Sequence, residues 1–313
     1  MAPSFSIAHV SDLHLPLADR PPRLRELMSK RLFSWLSWRR SRRFIHRPEI
    51  LARLMADVTA NGADHLAVTG DLTNLALPEE FDGARDWLAA QGGPGRVSVV
   101  PGNHDALVPL PWTDGLGRWS DWMGEPTGAT QFPTVKRLAP VALVGVSSAV
   151  PTAPLLAGGA VGPDQLRDLV AILKSLAAEG LFRIVLIHHP LTDGAVSRRK
   201  ALTDRAALRD AIRTAGAELV LHGHAHQAST EAIPGPDGPI PVIGAPSASA
   251  DPAAHGAPAG WRRIEVIPSN DAWRLVVSTR TMQPDGSFVA ADDLDATIRR
   301  PADRRETNQM SAG

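Results

Sequence analysis

The chain has 313 residues, enough to bury a large core as one domain or two, and its 43% apolar content excludes wholesale disorder. Basic and acidic residues balance at 33 each, so no excess charge marks a nucleic acid as a stable partner. The absence of cysteine and tyrosine removes disulfides, thiolate ligands, cysteine nucleophiles and phenolic acids, and leaves nitrogen and oxygen to hold any metal.

The opening MAPSFSIAHVSD lacks a basic segment followed by an apolar one. No run of about 18 apolar residues follows, so the expectation is a cytoplasmic protein without a spanning helix. Phe5 to Val10 is predicted as the first strand, with Asp12 and His14 just beyond it. A helix opens at Pro48 and stops at Asn61-Gly62; Ile50, Leu51, Leu54, Met55 and Val58 share one face. Asp64 to Thr69 is a second strand ending in Gly70-Asp71, and a helix over Pro78 to Gln91 leads to a third at Arg96 to Val100. This third strand stops at Pro-Gly and is followed by Asn103, His104 and Asp105. Alternating strand and helix predicts parallel strands joined by right-handed crossovers.

Ala106 to Gln131, rich in Trp, Gly and Pro, is expected to be an ordered loop beside the strand ends. Val135–Leu138 and Val141–Val146 predict an antiparallel pair that starts a second sheet. Helices are predicted over Pro163 to Glu179 and Thr203 to Ala215. The strands Arg183–Ile187 and Glu218–Leu221 end in His188-His189-Pro190 and His222-Gly223-His224-Ala225-His226. Four segments between Ser229 and Thr279 predict hairpin strands. From about Ala290 the charged, aperiodic chain predicts a loose tail to 313, beyond a single domain over 1–289.

Five strands thus end in side chains able to bind a metal or move a proton. One four-coordinate ion does not need so many. Two ions roughly 3.5–4 Å apart with a shared carboxylate do need about this set. Imidazole, carboxylate and amide oxygen together suit Mn, Fe or Zn rather than Ca or Cu.

In this order, the motifs DLH, GDLTN, GNHD, HHP and GHAH resemble those of the calcineurin-like metallophosphoesterases, from about residue 5 to 226. The resemblance implies a four-layer αββα sandwich, an α/β fold of two mixed sheets flanked by helices, around a dinuclear centre of transition metals. It implies Asp12, His14, Asp71 and His226 on one ion, and Asp71, Asn103, His188 and His224 on the other, with Asp71 bridging. It further implies in-line attack of a metal-bound hydroxide on phosphorus, with His104 as proton donor to the leaving alkoxide. Asp105 either orients His104 or caps the next turn; His189 either touches the phosphate or packs in the interior. His222 is expected to support a ligand from behind, Asn74 to line the pocket rim, and His9 and His65 to sit in the core.

Histidine at 104 resembles the class III cyclic-nucleotide phosphodiesterases, whereas the lipid A pathway pyrophosphatases carry arginine there. The protein serine/threonine phosphatases add arginines after the second and third motifs, where this chain has Leu72-Thr73-Asn74 and Ala106-Leu107-Val108. The implied substrate is a small or nucleotide-type phosphodiester. The alternatives are a phosphomonoester, or a phospholipid headgroup or pyrophosphate. A catalytically silent metal-binding regulator is the alternative of a different class.

Residues 19–47 depart from the family pattern. Ten basic residues and one acidic residue lie between Arg20 and Arg47, with Leu24, Leu27, Met28, Leu32, Trp35 and Leu36 at helical spacing. Three readings compete: a cap that supplies arginines to an anionic substrate, an interfacial helix in peripheral contact with a membrane surface, and a solvated helix or homodimer contact.

Overall fold

The computed structural model describes residues 3–17, 21–128, 130–255 and 257–301. Its strands are β1 (Phe5–Val10), β2 (His65–Val68), β3 (Val97–Val99), β4 (Glu125–Pro126), β5 (Thr134–Leu138), β6 (Val141–Gly145), β7 (Phe182–Leu186), β8 (Leu219–His222), β9 (Ser229–Pro234), β10 (Pro239–Gly244), β11 (Gly260–Pro268), β12 (Ala272–Met282) and β13 (Phe288–Arg299). They form a six-stranded sheet of order β13-β12-β11-β1-β2-β3 and a seven-stranded sheet of order β4-β5-β6-β7-β8-β10-β9. Strands β1, β2 and β3 are parallel, and β11, β12 and β13 extend their sheet antiparallel from β1. In the second sheet β6, β7, β8 and β10 are parallel, with antiparallel β5 and β9 beyond them.

Period-two burial sets the layers. Along β6, Val141 and Leu143 join one apolar cluster while Ala142 and Val144 join another, and β7 with the residue after it splits in the same way between Ile184/Leu186 and Val185/Ile187. A strand buried on both faces needs cover on both. One face meets the first sheet. The other meets the helices Pro163–Ala178 and Arg205–Ala215 through Leu169, Leu173, Leu208 and Ile212. The first sheet is covered by Pro48–Asn61 and Pro78–Gln91 through Leu51, Leu54, Phe81 and Leu88. The result is the four-layer αββα sandwich.

The helix Pro48–Asn61 starts on proline and stops at Gly62, whose φ of +59° closes the last turn as the sequence predicts. The Trp-rich stretch after residue 106 is more ordered than a loop. It folds into short helical turns at Trp112–Asp114, Leu116–Trp119 and Ser120–Met123, with fully buried Trp119 donating to the Phe81 carbonyl at 3.0 Å.

The expected loose tail from 290 is wrong as far as 299. These residues belong to β13, paired with β12 from Ala272↔Arg299 to Met282↔Phe288. Leu294, Ala296 and Ile298 alternate on the less exposed side, but Asp295 and Thr297 between them, and Asp292 and Asp293 just before, hide that period. An edge strand with one solvated face tolerates those charges. Residues 302–313 lie outside the described residues.

The insertion is helical, and it is fastened down. Arg31–Ser37 continues through a π turn (Trp38–Arg42) into a last helical turn at Arg43–Ile45. Arg31 donates to the carbonyls of Leu75 and Ala76 at 2.9 and 2.5 Å, Lys30 to Thr152 Oγ1 and the Leu156 carbonyl, and the Arg47 amide to the Ser249 carbonyl. These tethers reach loops at the ends of both sheets, so the segment roofs their shared rim.

Candidate metal centre

The parallel strands of both sheets point their C-terminal ends at one crevice, where open α/β sheets bind ligands. A bridge between Ser11 and Ser247 joins the two rims. The turns leaving these strands are strained. Seven described non-glycine residues have positive φ, and five of them are Asp12, His14, Asp71, His224 and His226. Such conformations cost roughly 1–3 kcal/mol each and persist where function holds them. Glycines permit the close approach. A Cβ on Gly102 would collide with Asp71 Oδ1, and one on Gly223 with Ser11 Oγ.

Two groups of donor atoms result: Asp12, His14 and His226, and Asp71, His188 and His224. In the first, Asp12 Oδ1 lies 3.1 Å from His226 Nε2. Asp71 Oδ2 stands between the groups, 3.9 Å from His14 Nε2 and 3.4 Å from His188 Nε2. In the second, hydrogen bonds fix which ring nitrogens are free. His188 Nδ1–H donates to the Thr69 carbonyl at 2.7 Å and His224 Nε2–H to the Lys200 carbonyl at 3.0 Å, since a carbonyl can only accept. The lone pairs of His188 Nε2 and His224 Nδ1 then face each other at 3.2 Å, and Asn103 Oδ1 is a further 3.2 Å from His188 Nε2. Neutral acceptors so close repel unless a cation lies among them. This donor set therefore fits a metal ion, and the carbonyl partners orient the rings as such ligands require.

Without an ion a proton is the substitute. Burial opposes charge on His188, but Asp71 and Asp12 outweigh it and raise its pKa to about 9. Burial would also raise the Asp71 carboxyl, yet His188, His104 and His14 hold it well below the usual range. His14 and His224 are pushed well below the ordinary imidazole range, first by burial and then by neighbouring histidines, so their lone pairs stay available.

His104 is buried beside this set. Its Nδ1–H donates to the Asn74 carbonyl at 2.8 Å, which leaves Nε2 as the atom that can take up or release a proton. Arg42 Nη1 donates to that Nε2 at 2.7 Å. Burial, then the Arg42 charge, lowers the His104 pKa to about 4. Asn74 is buried rather than at the rim, and holds the His104 tautomer through its main chain. Asp105 does not touch the His104 ring. Its carboxylate accepts from the amides of Gly102, Asp71 and Thr73 at 2.9 Å each and so ties the Asp71 turn to the Gly102 turn. His189 is packed inside, accepting from Ser148 Oγ at 2.7 Å and donating to the Ala157 carbonyl, which disfavours contact with a phosphate. His222 lies behind the site against Gly244, and His9 and His65 sit in the core on Thr69 and Ser98.

Three contributors escape sequence reasoning. His46, at the end of the insertion, packs with its ring centroid 4.1 Å from that of His14, tilted by 47°, and 5.5 Å from that of His226, with Nδ1 at 2.9 Å from Ser249 Oγ. Arg42, one helical turn earlier, reaches His104. The loop after β10 adds Ser247, whose hydroxyl donates to the Asp12 carbonyl at 2.7 Å. The i, i+4 spacing of Arg42 and His46 was the available signal; Ser247 had none.

The family model described as Calcineurin-like phosphoesterase matches residues 5–228. A probable cyclic nucleotide phosphodiesterase of Synechococcus is 28% identical over 276 residues, 87% of this chain and 91% of that protein. Among solved structures, a dimetal phosphatase from Danio rerio superposes with a TM-score of 0.57 at 14% identity, over 95% of this chain and 99% of that one. A purple acid phosphatase from yellow lupin seeds gives 0.58 at 13%, over 96% of this chain and 55% of that one. At these identities the two structures speak for the fold alone.

Proposed function

The chain belongs to the calcineurin-like phosphoesterase family, and from that premise we propose that it is a dinuclear-metal phosphodiesterase acting on a small or nucleotide-type phosphodiester. The observation that carries the reading is the convergence of metal-competent atoms at His188 Nε2, 3.2 Å from both His224 Nδ1 and Asn103 Oδ1, with the buried His104 ring beside them. Asp12, His14 and His226 would hold one ion, Asn103, His188 and His224 the other, and Asp71 both. The bound pair, of Mn, Fe or Zn, supplies Lewis acidity that acidifies water at neutral pH and offsets charge on the phosphoryl oxygens. The phosphodiesterase similarity at 28% identity supports the diester class.

His104 serves as the acid. With Nδ1–H committed to Asn74, the proton it delivers to the leaving alkoxide sits on Nε2. Arg42 occupies that nitrogen in the resting protein and, among the described residues, pairs with no carboxylate. Burial opposes the charge of Arg42, and among the described residues the Asp71 carboxylate is the charge that offsets it from a distance. In this reading the substrate phosphoryl adds a nearer counter-charge and draws Arg42 off Nε2, removing the positive charge that adds to burial in lowering the His104 pKa.

A second reading rests on the same arginine. Beside two ions, a further cation suits a dianionic phosphomonoester better than a monoanionic diester. The test is hydrolysis of bis(p-nitrophenyl) phosphate with Mn²⁺, with His104→Ala compared on good and poor leaving groups. The proposal expects turnover that a chelator abolishes, and a loss about 10²–10⁴-fold on alkoxide leaving groups but much smaller on nitrophenolate. Equal losses on both would remove the acid role. Two bound ions with no turnover on any ester would favour the silent metal-binding protein.

A further inference from the structure

The helix Arg31–Ser37 is turned the wrong way round for a water-soluble surface. Ser34 is its buried residue, whereas Leu32, Phe33 and Leu36 are 38%, 48% and 44% exposed. Around it Leu24 and Met28 are more than 80% exposed and Phe44 is 53% exposed. Single exposed apolar residues are ordinary, but these are concentrated. Of the nine large apolar residues exposed among the described residues, six lie in 24–44. Leu155 and Leu156 add two more, in the loop that Lys30 holds through Thr152 Oγ1 and the Leu156 carbonyl.

Charge identifies the partner. Residues 20–47 hold ten of the chain's 33 basic residues and one of its 33 acidic ones, so the remainder carries 23 basic against 32 acidic. The cations are interleaved with the apolar groups: the Arg43 guanidinium lies 4.5 Å over the Phe44 ring and that of Arg39 5.0 Å over Trp35. Exposed apolar side chains within a cationic field suit the boundary between lipid headgroups and acyl chains. No helix among the described residues is long and apolar enough to cross a membrane, so the contact is peripheral.

We propose that the outer face of residues 24–44, extended by Leu155 and Leu156, docks on an anionic lipid bilayer surface. The same segment presents Arg42 and His46 to the metal centre. Docking therefore holds the crevice within about one helix diameter, roughly 10–12 Å, of the headgroups, where it meets phosphoesters displayed on the membrane. The docking itself does not depend on the phosphodiesterase reading; only this choice of substrate source does.

The 313-residue chain, reconstituted with Mn²⁺, is sedimented with vesicles of phosphatidylcholine alone or with about one third phosphatidylglycerol. The proposal expects partitioning on the order of tenfold or more higher on the anionic vesicles, falling steeply by about 1 M salt. It expects that gain to be lost in Phe33→Ser/Leu36→Ser/Phe44→Ser and in Arg39→Glu/Arg40→Glu/Arg43→Glu. The serine variant should keep wild-type turnover of bis(p-nitrophenyl) phosphate, which separates docking from misfolding. Equal partitioning on both vesicle types overturns the proposal. So does a dimer that dissociates in the serine variant while wild type ignores vesicles. Vesicle binding without any turnover would instead sink the phosphodiesterase reading and leave docking intact.

Discussion

At the scale of single residues, the site works by deciding which atoms are free. The Thr69 and Lys200 carbonyls leave His188 Nε2 and His224 Nδ1 bare, and the Asn74 carbonyl does the same for His104 Nε2. Among the described residues, Arg42 is the charged group that the insertion contributes to this circle. Arg42→Ala should lower kcat/KM by about 10- to 100-fold, the worth of a hydrogen bond between charged groups, and Arg42→Lys should restore only part of it, because lysine lacks the planar fork. No change in steady-state kinetics would remove Arg42 from substrate binding.

The same residues fix the pH response. Burial, first, depresses His46, His65 and His189 to about 3 and His104 to about 4. Their contribution to stability is present above about pH 6.5, the unfolded value, and is lost as pH falls toward those folded values. His188 has the opposite sign. Raised to about 9, it stabilises the metal-free fold below the unfolded value, and roughly 3 kcal/mol is lost as pH rises through 9. Thermal unfolding from pH 5 to 9.5 with a chelator should show Tm falling at both ends, and saturating Mn²⁺ should flatten the alkaline fall. An alkaline limb indifferent to metal would contradict the assignment of His188 as the proton's alternative to an ion.

Among the elements, the strands with plain patterns were legible. β1, β2, β3, β7 and β8 are short apolar runs ending in Gly, Pro or a polar turn, and all five deliver the residues expected of them. β13 was illegible, because Asp292, Asp293 and Asp295 interrupt its apolar residues and only its inward side keeps the period. β10 was legible as a hairpin strand, but not as a parallel neighbour of β8, a pairing set by tertiary contact. That pairing brings Ser247 and Ser249 to the rim, so the sixth contributing strand end was missed. A chain truncated after Gln283 would lose β13 and uncover the long edge of β12. With Leu294 and Ile298 no longer packed, stability should fall by about 3 kcal/mol and light scattering on heating should rise. An unchanged Tm would show that β13 adds nothing to the sheet.

For the whole molecule, the centre is where two sheets meet. Asp12, His14, Asp71, Asn103 and His104 come from the first sheet, while His188, His224 and His226 come from the second. The insertion then bridges the rim from Leu75 and Ala76 to Thr152 and Leu156. Bound ions would cross-link the layers, and substrate choice would fall to the cap, since the family motifs fix the chemistry more firmly than the ester. The central claim is therefore best tested by steady-state hydrolysis with Mn²⁺-loaded protein across 2′,3′- and 3′,5′-cyclic nucleotides, glycerophosphodiesters and simple phosphomonoesters. The account predicts that one of the diesters has the highest kcat/KM, at least about tenfold above any monoester, a difference of roughly 1.4 kcal/mol in the barrier. A monoester at the top of the panel, or no turnover with two ions bound, would contradict it.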